Sequence, residues 1–277
     1  MAEDMLIIGM GYTGARLASA LRGQGWRVRG VRQQADEMSD VLAFDDEASV
    51  GHAITQANHI LSSVPPARSG EDPVLARYGA QIAVSGAAWI GYLSSTGVYG
   101  DTQGAWVDEG APIGTGRRSA RTQADLGWQA LRAETRVFRL PGIYGPGRSA
   151  IDRVREGRAH RIDLPGQAFS RIHVDDIVAA IIASFVGPPG VFNIADDHPC
   201  DQNRVIEQAC RLTGAPLPPL QTMDEAGLSD MARGFYTENR RVANGRAKRL
   251  LGWRPLYPDY RAGLDACFRE ETASADI

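Results

Sequence analysis

A glycine-rich segment near the start of the chain has the residue types and spacing of a phosphate-binding turn. The segment, Gly9-Met10-Gly11-Tyr12-Thr13-Gly14, follows the apolar run 6–8 and precedes apolar residues at helical spacing (Leu17, Ala18, Leu21). In a strand–turn–helix unit of this kind, the first glycine permits a tight turn, the second lets a pyrophosphate approach the backbone, and the third lets the helix pack closely on the strand. We therefore predict a dinucleotide site on the free N–H groups at the helix start, formed by Gly9, Gly11, Tyr12, Thr13 and Gly14. A purely structural turn is the alternative.

The residue after the second predicted strand (27–31) bears on which dinucleotide is bound. At this position an acidic residue binds a free ribose 2′-hydroxyl, whereas an arginine accommodates a 2′-phosphate. Arg32 stands there, so the sequence favours NADP, with NAD as the open alternative. Arg29 is a second candidate for this role, although strand alternation points its side chain away from Val28 and Gly30.

Two serines follow the fourth predicted strand, 59–62. Ser62 and Ser63 open the segment SSVPP at the carboxyl end of what we predict to be a central strand. Ligands of open α/β sheets bind in the crevice over such strand ends, so we expect these serines to contact a cofactor ribose or phosphate. The alternative is that the serines and prolines of this segment only form an ordinary turn.

Composition excludes several classes of function. The chain has 277 residues, of which 43% are hydrophobic and 23% are charged, and its net charge is -3. These values are typical of a globular protein and give no indication of a nucleic-acid or membrane surface. The three cysteines show no metal-ligand spacing with the five histidines. We expect a cytoplasmic protein with a small-molecule substrate, no metal, no nucleic-acid partner and no membrane contact.

Alternating strand and helix patterns predict an α/β fold, a Rossmann-type doubly wound parallel sheet, and the length of the chain allows a small appended C-terminal lobe. We assign residues 1–150 to the NAD(P)-binding domain, with 170–197 returning to it, and 151–277 to the smaller mixed lobe. Helices are predicted from Pro73 to about Ala87, from Val174 to Phe185 and from Tyr257 to Phe268. Asp175 and Asp176 are interpreted as N-terminal caps of the second of these helices, after a packed His173.

Five further motifs occur in a fixed order along the chain: SSTGVYG at 94–100, RLPGIYGPG at 139–147, RIHVDDI at 171–177, FNIAD at 192–196 and LLGW at 250–253. With these motifs the chain resembles an extended short-chain dehydrogenase/reductase of the nucleotide-sugar epimerase/dehydratase type. The resemblance implies that Ser95, with Thr96 as the alternate, hydrogen-bonds the substrate oxygen. It also implies that the segment beginning at Pro141 and Gly142 contacts the nicotinamide amide and opens the small C-terminal substrate lobe.

The chain departs from this family at the catalytic pair. Family members usually carry YxxxK on the helix after VYG, but the best register here places Arg117 at the tyrosine and Arg121 at the lysine position. Arg121 can supply the cationic, ribose-holding part of the role, but arginine is a poor proton shuttle near neutral pH. The GxGxxG spacing, where most extended members have GxxGxxG, is also more typical of atypical members. Tyr99 and Tyr144 are candidate proton donors, and packing is the alternative for both.

Two arginines have the chemistry to bind an anionic substrate, because guanidinium groups pair with phosphates. These are Arg148 and Arg171, for which a solvated surface position is the alternative. The sequence thus supports an NAD(P)-dependent oxidoreductase, epimerase or dehydratase acting on a small substrate such as a nucleotide sugar. A non-catalytic NAD(P)-binding sensor or scaffold is the alternative, and the protein is expected to be a monomer or a homodimer. The resemblance implies dimer contacts through the helices at about 73–87 and 117–132.

Overall fold

Apolar segments without polar alternation form the centre of the molecule. In the computed structural model, which describes residues 3–36, 40–67, 70–116 and 119–275, Leu6, Ile7 and Ile8 are at most 1% exposed. Strands that are covered on both faces have this composition, because helices pack on each side of a parallel sheet. One core cluster lies on each face of the sheet, with Leu17, Leu21 and Phe192 in one and Tyr78 and Trp128 in the other.

The strands lie at the following bounds: β1 Asp4–Ile8, β2 Arg27–Arg32, β3 Val41–Ala43, β4 His59–Ser62, β5 Trp89–Ser95, β6 Trp106–Val107, β7 Thr135–Leu140, β8 Gly142–Tyr144, β9 Arg161–Ile162, β10 Arg171–His173, β11 Gly190–Asn193, β12 Leu220–Gln221 and β13 Arg241–Val242. Seven of them form a parallel sheet in the order β11-β7-β5-β4-β1-β2-β3. The chain order reverses between β1 and β4, and a crevice for ligands lies at the carboxyl ends of strands at such a switch point.

The helices lie at the following bounds: α1 Tyr12–Gly23, α2 Glu47–Gln56, α3 Pro73–Ala83, α4 Ser119–Leu131, α5 Ala150–Arg155, α6 Val174–Ala183, α7 Gln202–Thr213, α8 Asp230–Arg233, α9 Gly245–Leu250 and α10 Tyr260–Ala275. The predicted α/β class and the parallel sheet are confirmed. Helices α5, α7 and α10 share a separate apolar cluster that includes Ile151, Ile206 and Leu264. Among the described residues, no helix is long and apolar enough to cross a membrane.

Four predicted helix bounds were wrong, and the largest error is the end of α10, which lies at Ala275 rather than Phe268. Helix α3 ends at Ala83, and α6 ends at Ala183 rather than Phe185. After α3, the Ala88 N–H donates to the Asn58 carbonyl at 2.9 Å, because the chain is already entering β5. Helix α10 begins at Tyr260, since Asp259 accepts hydrogen bonds from the N–H groups of Arg261 and Ala262.

The interpretation of the two aspartates as caps of α6 was also wrong. The cap is His173, whose Nδ1 accepts the Asp175 N–H at 3.2 Å. Asp175 instead pairs with Arg16 on α1, and the buried Asp176 accepts the N–H groups of residues 256 and 257. His173 is packed as predicted, with 1% exposure.

Candidate functional site

The glycine turn lies at the carboxyl end of β1, beside the switch point. Gly9 has a φ of +98°, a backbone conformation that favours glycine, and a Cβ there would lie 2.7 Å from the Ser63 hydroxyl oxygen. A Cβ on Gly14 would lie 3.0 Å from the Gly9 carbonyl oxygen, so this glycine lets α1 pack against the turn. Both glycines are therefore required by the fold.

Gly11 differs from the other two glycines because the fold does not require it. A Cβ on Gly11 would meet only the Gly9 carbonyl oxygen, at 3.9 Å, and its φ of -91° is open to other residues. The space that this Cβ would fill is therefore open on the protein side. The residues present fit a dinucleotide, since its pyrophosphate needs close approach to the backbone at this position.

The first turn of α1 offers hydrogen-bond donors to this open space. No side chain caps the helix, and the first intrahelical bond in this turn runs from the Ala15 N–H to the Gly11 carbonyl. The N–H groups of Tyr12, Thr13 and Gly14 consequently have no intrahelical acceptor. Together with the positive end of the helix dipole, they form a potential phosphate-binding site.

Arg32 and Ser63 flank the turn, one on each side. The Arg32 Nε donates to the Met10 carbonyl, so its guanidinium lies at the turn where β2 ends. Ser63 donates its hydroxyl to the Gly9 carbonyl at 2.5 Å. Ser62 is fully buried and its hydroxyl has no partner among the described residues. Arg29 donates to Gln56 on α2.

The loop after β8 contacts the start of α1. The Tyr12 hydroxyl donates to the Pro146 carbonyl at 3.0 Å, and the Cζ of Arg148 lies 5.5 Å from the centroid of the Tyr12 ring. Burial raises the pKa of Tyr12. Arg148 therefore belongs to the neighbourhood of the glycine turn. Pro141 and Gly142 lie nearby in the chain, where β7 passes into β8.

The end of β5 carries the two residues that the resemblance placed in catalysis. Ser95 is half-buried, and its hydroxyl oxygen accepts the Gly97 N–H at 3.1 Å, which caps the short 3-10 turn Thr96–Tyr99. The hydroxyl proton of Ser95 is not used by this contact. Thr96 is 3% exposed. Of the two residues, Ser95 is the more accessible.

A buried polar network lies directly behind this strand end. Asp125 on α4 accepts the Ser94 hydroxyl at 2.5 Å and forms a two-pronged ion pair with Arg139 on β7, at 2.8 and 3.1 Å. Arg139 also donates to the Tyr99 hydroxyl at 3.0 Å, which in turn donates to Asn193 at 2.8 Å. The side chains of Asp125 and Arg139 are 0% and 3% exposed. Sequence reasoning did not identify Asp125.

Neither candidate tyrosine is placed to give up a proton. Tyr99 is 1% exposed with its hydroxyl fully engaged in the network, and burial raises its pKa. Burial also raises the pKa of Tyr144, whose hydroxyl packs against α10 at Gly263. Both tyrosines pack in the fold, which is the alternative that the sequence left open.

Arg121 lies half-buried in the first turn of α4. Burial raises the pKa of the nearby Tyr92, with a further increase from the Asp72 carboxylate, whereas Arg121 lowers it. Arg117, which the register placed at the usual tyrosine, lies outside the described residues.

Arg171 belongs to the C-terminal part of the molecule. Its guanidinium donates to the Cys200 sulfur at 2.8 Å, and Cys200 lines a cavity of about 390 Å³ between segments 163–168 and 198–204. Arg241 and Leu220 complete the wall. No residue of the glycine turn lines this cavity. Among the described residues, no group of three or more metal-binding side chains is found.

Comparisons with known proteins place this geometry in context. No family model matches the chain. It is 28% identical to Protein YeeZ of Escherichia coli K12 over 93% of this chain and 97% of that protein. It is also 33% identical to a 3-diazoavenalumate denitrifying reductase of Streptomyces sp. over 46% of this chain and 45% of that protein.

Solved structures give more extensive matches. A functionally unknown conserved protein from Silicibacter pomeroyi is 44% identical, with a TM-score of 0.90, over 97% of this chain and 99% of that one. The chain belongs to the same family as this protein. MoeE5 in complex with UDP-glucuronic acid and NAD is 20% identical, with a TM-score of 0.78, over 98% of this chain and 99% of that one. Human SDR39U1, an epimerase family protein with NADPH, is 16% identical, with a TM-score of 0.76, over 96% of this chain and 99% of that one.

The last two matches establish the fold. The chain has the architecture that solved structures of a human epimerase family protein, a proposed NAD-dependent epimerase/dehydratase and a short-chain dehydrogenase/reductase superfamily protein share. The resemblance predicted from the sequence motifs is confirmed at this level.

Proposed function

We propose that this protein binds a nicotinamide dinucleotide at the glycine turn, with NADP preferred over NAD. The observation that carries the proposal is Gly11, where the chain keeps a glycine that its own packing does not need. The three N–H groups without intrahelical acceptors lie at the same point. Neighbouring folds support the assignment, because MoeE5 was solved with NAD and SDR39U1 with NADPH.

Each proposed cofactor residue has a distinct part in binding. The N–H groups of Tyr12, Thr13 and Gly14 would hold the pyrophosphate, and Gly9 and Gly11 would leave room for it. Arg32 would bind the 2′-phosphate of NADP from the end of β2. We also propose that Ser62 and Ser63 contact a ribose or phosphate of the cofactor. Pro141 and Gly142 would contact its nicotinamide amide.

We further propose an oxidoreductase, epimerase or dehydratase-like activity on a small substrate. The bound nicotinamide would supply hydride transfer, and the protein would position the reactants and handle the proton. Ser95 would donate its free hydroxyl proton in a hydrogen bond to the substrate oxygen, with Thr96 as its alternate, and Arg121 would hold the ribose. A nucleotide sugar is the proposed substrate class, because MoeE5 was solved with UDP-glucuronic acid.

The remaining parts of the proposal concern partners and location. The substrate is proposed to be a small molecule that uses the 390 Å³ cavity or the crevice, with Arg171 behind the cavity wall. We expect a cytoplasmic monomer or homodimer. The free, buried state of Cys200, Cys210 and Cys267 is compatible with a reducing compartment.

A non-catalytic sensor or scaffold is the second candidate function. It is favoured by the burial of Tyr99 and Tyr144, since the sequence offers no tyrosine between them to replace the usual proton donor. Such a protein would keep the glycine turn that binds the cofactor but would not catalyse a reaction.

Fluorescence titration with NADPH and NADH, followed by cofactor oxidation against a panel of carbonyl compounds, separates the candidates. The first proposal predicts saturable NADPH binding, weaker NADH binding and oxidation with at least one carbonyl. Saturable binding without oxidation across the panel favours the sensor. If neither nucleotide binds, both candidates are wrong.

A further inference from the structure

The loop at 145–148 is fixed against the first residue of the phosphate-binding helix. The Tyr12 hydroxyl donates to the Pro146 carbonyl at 3.0 Å, and a Cβ on Gly145 would lie 2.4 Å from that hydroxyl oxygen. Only glycine permits so close an approach. Glu271 on α10 accepts the Gly147 N–H at 3.2 Å and anchors the loop from the other side.

Arg148 is the cation that this loop presents. Its side chain is exposed, its guanidinium lies against the Tyr12 ring, and it has no ion pair with a described carboxylate. Such a guanidinium is weakly hydrated and held by a ring face, yet its N–H donors remain available for an anion.

Arg16, the basic residue on the first two turns of α1, is already neutralised. Arg16 pairs with Asp175 at 2.6 Å and with Glu270 at 2.8 Å, and these carboxylates raise its pKa. Arg32 donates to the Met10 carbonyl on the β2 side of the turn. A pyrophosphate on α1 would carry negative charge that the N–H groups meet only with partial charges. Arg148 is the described arginine that is both near Tyr12 and without a carboxylate partner.

We propose that Arg148 binds the cofactor pyrophosphate together with the N–H groups at the start of α1, and that Tyr12 and Gly145 position it there. This inference rests on the proposed dinucleotide site. It reassigns Arg148 from the substrate, where the sequence placed it, to the cofactor. The Tyr12 hydroxyl keeps its proton at neutral pH, since burial raises its pKa, so it remains a donor to the loop.

The test compares two ligands, of which only one carries the pyrophosphate and the nicotinamide ribose attached to it. NADPH contains both the 2′-phosphate and the pyrophosphate, whereas adenosine 2′-monophosphate contains only the 2′-phosphate. Calorimetric titration of Arg148→Ala should give a dissociation constant for NADPH about tenfold above that of the wild type, because one charge-assisted contact is lost. Its dissociation constant for adenosine 2′-monophosphate should be unchanged.

A matched control removes an arginine at the opposite edge of the sheet. Arg27 lies at the start of β2, is 62% exposed and pairs with Asp4. Arg27→Ala should leave both dissociation constants unchanged, and Arg148→Lys should retain part of the affinity for NADPH. Melting temperatures of all variants show whether the exposed substitutions leave the fold intact.

Two results would overturn the inference. One is wild-type NADPH affinity in Arg148→Ala, and the other is an equal loss of affinity for both ligands. A wild-type protein that binds neither ligand would instead refute the proposed function, and the inference with it.

Discussion

The carboxyl edge of the sheet contains two neighbouring regions that use their polar groups in opposite ways. At the end of β1, donors point to open space: the first three N–H groups of α1 have no intrahelical acceptor, and Gly11 has room for a Cβ. At the ends of β5 and β7, Ser94, Asp125 and Arg139 bind each other and are sealed from solvent. The first region leaves its donors open, as the proposed cofactor site requires, whereas most polar groups of the second are bonded to each other.

The resemblance implies both cofactor binding and turnover, and the difference between the two regions separates these two properties. The family resemblance implies that cofactor binding and proton transfer take place at the same edge of the sheet. Here the proposed cofactor end keeps its glycines and its open N–H groups, whereas the end proposed for catalysis has Ser95 but no tyrosine in the sequence between Tyr99 and Tyr144. Cofactor affinity and turnover should therefore respond to different substitutions.

The largest expected effect is the loss of the buried ion pair. Asp125→Ala would leave the Arg139 guanidinium buried without its carboxylate, so we expect the free energy of unfolding to fall by about 3–5 kcal/mol. Urea denaturation measures this change. The pair of the half-buried Arg132 and the exposed Glu134 provides the control, since Glu134→Ala should change stability by less than about 1 kcal/mol. Equal effects of the two substitutions would show that the network is not structural.

The next effect distinguishes two glycines of the same turn. Gly14→Ala places a Cβ about 3.0 Å from the Gly9 carbonyl oxygen and from Ile7, so it should cost about 1–3 kcal/mol of folding stability. Gly11→Ala meets no such contact and should melt at or above the wild-type temperature, because alanine lowers the entropy of the unfolded chain. If Gly11→Ala were the more destabilised variant in thermal melts, the inference that a Cβ on residue 11 meets open space would be wrong.

A smaller effect should appear in cofactor choice. Arg32→Ala should raise the dissociation constant of NADPH about tenfold and leave that of NADH nearly unchanged, because only NADPH carries the 2′-phosphate. Paired fluorescence titrations measure both constants. Arg29→Ala serves as the control, since Arg29 is directed to Gln56. An equal loss of affinity for NADPH and NADH in Arg32→Ala would remove the basis for preferring NADP.

The smallest effect concerns the helix that supports α1. Burial lowers the pKa of His173 to about 4, so the folded state binds fewer protons than the unfolded state near pH 6. The contribution of His173 to the free energy of unfolding should therefore fall by about 1 kcal/mol as the pH drops from 7 to 5.5, whereas burial raises the pKa of Asp176 to about 6 and that of Asp196 to about 8, so these groups contribute with the opposite sign. His173→Asn keeps a side-chain acceptor for the Asp175 N–H but does not titrate, so the stability of the wild type relative to this variant, measured by urea denaturation, should fall by about 1 kcal/mol over this interval. Parallel pH profiles would contradict this account.

Local rules predicted most of the elements around the site. The uninterrupted apolar run of β1, the glycine spacing and Arg32 at the end of β2 all lie close together in sequence, so periodicity and turn chemistry place them. The bounds of β4 were predicted exactly for the same reason. Helix ends were less predictable, because contacts from other elements decide where α3 and α10 stop and start.

The sealed network was not predictable in this way. Asp125 resembles any polar residue on an amphipathic helix, and only the tertiary structure brings it to Arg139 and Ser94. His173 was interpreted as packed but not as the cap of α6, since aspartates next to it have the stronger capping preference. The contact of Tyr12 with Pro146 likewise joins segments that are distant in the chain, so no local sequence pattern predicts it.

Calorimetric titration of NADPH into the wild type, Gly11→Val and Gly23→Ala tests the central claim most directly. Valine at residue 11 would fill the space over the N–H groups of α1, whereas a Cβ on Gly23, at the far end of the same helix, meets nothing within 4 Å. The account predicts that Gly11→Val folds normally and binds NADPH about two orders of magnitude more weakly, while Gly23→Ala binds like the wild type. Unchanged NADPH affinity in folded Gly11→Val would contradict it.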